Sequence, residues 1–173
     1  MTTVGEHAVP AAVLAAAGDW ESGVGVVCDD AGPVAVVDTD GRAHEPVLLV
    51  APGLTLAELA DSALLTLLDA YPELPGFVVC ETDGTVRGVL PVEVLDTYLG
   101  SGQYAPAPSV MGPGGEAGDV DVPGDPRLPR ARIRCRAAGC GYVNTLAYLD
   151  PAHPPECGNP RLATHPLAIR EAP

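Results

Sequence analysis

Lysine is absent from this 173-residue chain, and all nine basic residues are arginines. That absence excludes Schiff-base chemistry and a lysine general base. Aromatics are nearly as scarce: one Phe, one Trp and five Tyr leave Val, Leu and Ala to build a core. No apolar run approaches the roughly 20 residues that span a bilayer. The segment Met1–His7 carries neither the basic cluster nor the apolar stretch of a secretion signal. A cytoplasmic protein without membrane contact is expected. Also missing are a Ser-His-Asp order, a phosphate-cradling glycine loop and a helix-borne histidine pair. With no nucleophile and base to name, the chain is expected not to be an enzyme.

What is present begins with a 47% apolar content, enough for a packed core. Ala, Gly, Val, Pro and Asp are abundant, which together with the missing lysine points to a GC-rich bacterial genome. The net charge of −14 is unevenly spread. Residues 1–126 hold two arginines against twenty acidic residues, whereas residues 127–173 hold seven arginines against three. Such an acidic body repels nucleic acid, and only the basic tail attracts it. The five cysteines fall as two plus three, which fits a reducing compartment and a metal site better than a disulfide framework.

Residues 9–18 read as a short Ala-rich helix ended by Gly18. Two β-branched runs, 24–28 and 34–37, flank an Asp-Asp-Ala-Gly-Pro turn and predict a hairpin. Val47–Val50 reads as a buried strand. Thr55 and Glu58 form a capping box for a helix over 56–71, whose apolar residues recur at spacings of three and four until Pro72. A second hairpin, 77–80 with 86–90, surrounds Glu-Thr-Asp-Gly, and Pro91 opens a helix over 91–99. The stretch Val26-Val-Cys28-Asp-Asp-Ala-Gly32 aligns with Val78-Val-Cys80-Glu-Thr-Asp-Gly84 at an offset of 52, an internal repeat. Cys28 and Cys80 occupy equivalent points in it and read as core cysteines.

The segment Leu54-Thr-Leu-Ala-Glu-Leu, followed by Pro75-Gly-Phe-Val-Val-Cys-Glu-Thr-Asp-Gly-Thr-Val-Arg-Gly-Val-Leu90, resembles a CBS motif (cystathionine-β-synthase-type domain). The likeness is fullest over about 46–100. Residues 9–41 would be a truncated first copy without the final helix. It implies a pair of motifs stacked through their sheets, and a homodimer or a bound partner. Many members bind adenosine nucleotides between the motifs, using a Gly-hydrophobic-hydrophobic-Ser/Thr-x-x-Asp segment. Here that segment is Gly88-Val-Leu-Pro91-Val-Glu-Val94, with Pro91 in place of the hydroxyl and Val94 in place of the carboxylate. The shortage of arginine in this half also disfavours phosphate binding.

Residues 101–130 are rich in Gly and Pro and read as a linker between domains. Beyond it stand Cys135, Cys140, Cys157 and His165, spaced x4, x16 and x7, with His153 as the alternative fourth ligand. Three thiolates and an imidazole predict one structural zinc in a zinc-ribbon-like module. Gly139, Gly141 and Gly158 beside the cysteines would turn backbone N–H groups towards sulfur, and Arg134 and Arg136 would offset thiolate charge. Tyr142–Tyr148 is β-prone and predicts the ribbon's hairpin. A module of about forty residues needs the metal to fold.

The expected whole is an α/β (α+β) CBS-like domain over 1–100, a linker over 101–130 and a basic zinc ribbon over 131–173. Its expected function is that of a non-catalytic regulatory or protein-interaction adaptor. Arg132, Arg134, Arg136, Tyr142 and Tyr148 form the expected partner surface. An adenosine-nucleotide sensor, and a nucleic-acid-associated regulator acting through the arginine-rich ribbon, are the two alternatives.

Overall fold

The computed structural model describes residues 2–102, 104, 129–147 and 153–169. Among these residues the fold is mixed α+β, with two sheets and few helices. Strands β1 (Ala12–Leu14), β2 (Gly25–Asp29), β3 (Gly32–Val37) and β4 (Ala43–His44) form the first sheet in that order. The second holds five strands in the order β7-β6-β5-β8-β9: Val86–Pro91, Gly76–Cys80, Val47–Val50, Arg130–Arg134 and Val143–Leu146. The helices are α1 (Val4–His7), α2 (Leu56–Ala60), α3 (Leu64–Ala70) and α4 (Val92–Gly100). Among the described residues no helix is long and apolar enough to cross a membrane.

Both halves of the repeat have the same strand plan. β1 lies parallel to β2, which is antiparallel to β3; β5 lies parallel to β6, which is antiparallel to β7. Each hairpin shifts register at the same repeat position, between Val27 and Cys28 in one and between Val79 and Cys80 in the other. Such a bulge increases local twist and bends the strand. Val26, Val36, Val47, Val78 and Val89 pack between the two hairpins as one buried cluster. α4 follows the second hairpin, and no helix follows the first before β4.

Two helix expectations need correction. Residues 9–18 do not form a helix: β1 and a single 3-10 turn over Ala17–Asp19 occupy that stretch. Pairing overrides alanine's local preference there. Val9 N–H donates to Val89 O and Val89 N–H to Val9 O, and β1 then runs along β2. The helix expected over 56–71 is two helices. Ser62 N–H reaches back only to Leu59 O, a three-residue step that tightens the chain between α2 and α3. Both pieces still face the main core, with Leu56, Leu59, Leu64 and Leu67 buried. The Thr55 capping box is present as expected: its hydroxyl oxygen accepts from Glu58 N–H, and Glu58 Oε2 accepts from Thr55 N–H at 2.8 Å.

The C-terminal segment does not build a sheet of its own. β8 joins the body's sheet antiparallel to β5, pairing Val47 with Arg132 and Leu49 with Arg130, and β9 pairs outside it. Ala131 and Ile133 belong to the main core beside Phe77 and Leu90. The expected linker lies outside the described residues except at 101, 102, 104, 129 and 130, as does Tyr148.

Candidate metal centre

Cys135 directly follows β8 and is buried. From it the chain makes a tight knuckle: Cys135 N–H donates to Tyr142 O at 2.8 Å, Gly141 N–H to Cys135 O and Cys140 N–H to Ala137 O. Gly139 and Gly141 have φ of +73° and +63°, so glycine on either side of Cys140 is what lets the turn close. β9 then returns along β8, which makes the β-prone run at 143–146 the second strand of this hairpin.

The other two candidate ligands come from a strap over residues 153–169. Cys157 N–H donates to His165 O at 2.9 Å and Leu167 N–H to Pro155 O at 2.8 Å, which sets Cys157 and His165 side by side. Arg136 N–H donates to Ala168 O at 2.7 Å, tying the strap to the knuckle. Tyr71 Oη, at the end of α3, donates to Ile169 O at 3.0 Å and ties it to the body. Buried Leu167 packs with Cys135 and Cys157 beneath the site.

One ligand atom from each of Cys135, Cys140, Cys157 and His165 lies within 4.8 Å of the others. Cys135 Sγ is 3.5 Å from His165 Nε2, and Cys140 Sγ is 3.6 Å from Cys157 Sγ. The latter is far beyond the roughly 2.05 Å of a disulfide. This Cys3His group could hold a metal ion. His153 is exposed and stands outside it.

Groups around the four support ligation. His165 Nδ1 lies 2.8 Å from Ala163 O, so Nδ1 carries the proton and Nε2 presents a lone pair to the thiols. That carbonyl, and then the Cys140 sulfur, raise the imidazole's pKa. Asn159 Nδ2 donates to Cys140 Sγ at 3.4 Å. This donor, with help from Tyr142 N–H, holds the Cys140 thiol down at about 6 against an opposing burial effect. Asn144, a buried residue of β9, donates from Nδ2 to Cys157 Sγ at 3.5 Å and accepts Gly158 N–H on Oδ1 at 2.8 Å. Composition gave no sign of either asparagine's role; their nearness to thiols exists only in the fold.

The arginines behave differently from expectation. Arg132 is only 6% exposed and offers no partner surface. Its Nη1 donates to Pro33 O at 2.6 Å, across to the first sheet. Arg134 and Arg136 turn to Glu45 at 3.4 and 3.0 Å rather than to the thiolates. A basic strand laid against an acidic body spends its charge there. Tyr142 remains exposed at 40%. Comparison with protein-family models, with curated proteins and with solved structures finds no match to this chain.

Proposed function

We propose that Cys135, Cys140, Cys157 and His165 hold one zinc ion in a closed structural site, and that the chain is a non-catalytic regulatory or protein-interaction adaptor on a CBS-like body. The spacing of the ligand atoms carries the zinc assignment. Zn–S bonds of about 2.3 Å and a Zn–N bond of about 2.05 Å define a tetrahedron with S···S edges of about 3.8 Å and S···N edges of about 3.6 Å. The pairs at 3.6 and 3.5 Å lie close to those edges. Three thiolates with one imidazole favour zinc over harder cations. Four protein ligands leave no position for a reacting water, which favours a structural role.

The repeated strand plan with its matched bulges supports the CBS-like reading. For the adaptor role, the support is a surface: Tyr142 and Leu162, at 40% and 44% exposed, are large apolar residues displayed by the two halves of the metal centre. The nucleic-acid alternative is weakened because Arg134 and Arg136 pair with Glu45 within the chain and Arg132 is buried.

Metal analysis of the purified full-length protein tests the first part: one zinc per chain is expected, and folded protein purified without a stoichiometric metal would overturn it. Partner capture by the native chain and by a Tyr142→Ser, Leu162→Ser variant that keeps its zinc tests the second. Specific partners should be lost from the variant, and identical capture by both would remove this surface from consideration.

A further inference from the structure

Residues from both hairpin tips line a cleft of about 410 Å³. Gly32 and Pro33 line it from the first tip, Thr82 and Gly84 from the second, and Arg130 and Arg132 from β8. It opens beyond the C-terminal ends of β5 and β6, which are parallel neighbours. Crevices at that end of parallel strands are a common place for ligands, and the volume suits a small molecule.

Arg132 lines this cleft with only a long ion pair to offset its charge. Its guanidinium is almost wholly buried. One nitrogen donates to a neutral carbonyl, that of Pro33. Another lies 3.6 Å from Asp29 Oδ1, which is beyond hydrogen-bond distance, on a side chain that is itself 48% exposed and already accepts Ala31 N–H. A planar fork of five donors inside a protein calls for an anion in close, preferably bidentate contact. Glu81, which also lines the cleft, is itself paired with Arg87 at 2.6 Å. Leu49, Val50 and Cys80 give the cleft an apolar wall. Burial keeps the Cys80 thiol protonated, with its pKa pushed up to about 11, so that wall carries no negative charge at neutral pH.

We propose that this cleft binds a small organic anion bearing a phosphate or carboxylate group, with Arg132 as its charged anchor and the tip backbones of both repeats around it. The site is independent of the metal reading, since neither arginine is a metal ligand. It also bears on the argument that the acidic half lacks cations for an anion: β8 brings them in from the basic segment.

The test is an NMR titration of the ¹⁵N-labelled full-length protein, as purified, with inorganic phosphate and, separately, with succinate. Saturable shifts of the Gly32, Thr82 and Gly84 amides and of the Arg132 Nε–H are expected with at least one. Saturation by phosphate alone assigns the phosphate class, by succinate alone the carboxylate class, and by both a general oxyanion site. Arg132→Met should abolish the shifts. Because that change also removes the bond to Pro33, Thr82→Glu serves as the second variant, placing a negative charge at the exposed tip. It should leave the rest of the spectrum in place and weaken binding about tenfold or more. No saturable shift with either anion in the millimolar range, or binding unchanged in Thr82→Glu, would overturn the proposal.

Discussion

Asn144 Nδ2 donates to Cys157 Sγ at 3.5 Å while its Oδ1 accepts the Gly158 N–H at 2.8 Å, so one side chain of β9 positions the cysteine that the strap contributes. Substituting Asn144 by Ala removes the acceptor of the Gly158 N–H and a charge-offsetting bond from the thiolate. Metal affinity should fall about tenfold to a hundredfold, as for other outer partners of metal ligands. Competition with a chromogenic chelator measures this, and an unchanged affinity would assign Asn144 to packing alone.

Thiol reactivity should divide the cysteines by environment. In chelator-treated protein at pH 8, Cys140, with its thiol lowered to about 6, should alkylate readily. Cys28 and Cys80, whose pKa values are raised first of all by burial, should resist. The sign follows from the depressed value: the Cys140 thiolate, and the stabilisation its donors give, persist above the ordinary thiol pKa and fade as pH falls through about 6. Mass spectrometry of peptides alkylated between pH 5 and pH 9 reads the midpoint. Asn159→Ala should move it upward, because the Asn159 amide is the largest contributor.

The turn after β3 should survive strong acid. Asp38 Oδ2 meets His44 Nε2 at 2.8 Å, and Oδ1 accepts the N–H groups of Asp40 and Arg42. The His44 bond leads in holding this carboxyl near 2. Stabilisation from Asp38 is therefore complete above its ordinary value near 4 and is lost only as pH falls through about 2. Carboxyl ¹³C shifts followed by NMR should show that midpoint, and His44→Ala should raise it towards the ordinary value.

Gly88 is needed for contact with the N-terminal segment. A Cβ there would collide with the Val9 carbonyl, which accepts the neighbouring Val89 N–H. Gly88→Ala should cost about 1–3 kcal/mol, the range for overpacking. Thermal unfolding gives the loss, and hydrogen exchange should localise it to the Val9 and Val89 amides. A neutral substitution would mean that the segment moves aside freely.

Local signals were the legible ones. Turn chemistry and β-branched runs placed both hairpins within a residue or two, and the offset of 52 pointed to equivalent positions that the structure gives the same bulge. Cysteine and histidine spacing singled out the four residues that the fold gathers, because a knuckle closed by Gly139 and Gly141 is itself local. Long-range pairing was not legible. Residues 12–14, within the alanine-rich stretch 9–18, form a strand because β2 offers an edge, and nothing local shows Pro33, Asp29 and Glu45 waiting for the arginines of β8. A change of composition near 101–130 resembles a boundary whether the chain then leaves the sheet or, as β8 does, returns to it.

That return sets an order of assembly. β5 is apolar and lies inside its sheet only because β8, more than 75 residues further along the chain, covers its open side. During synthesis the first hundred residues emerge with the Val47–Val50 edge unpaired, a template for pairing with other chains. Completion of the sheet waits for residues 130–134 to leave the ribosome, and the ligands that follow them arrive later still. A chain cut short in the Gly/Pro-rich stretch would keep every residue of both repeats and still carry a raw edge, prone to aggregation in a way that loss of a detachable module would not explain.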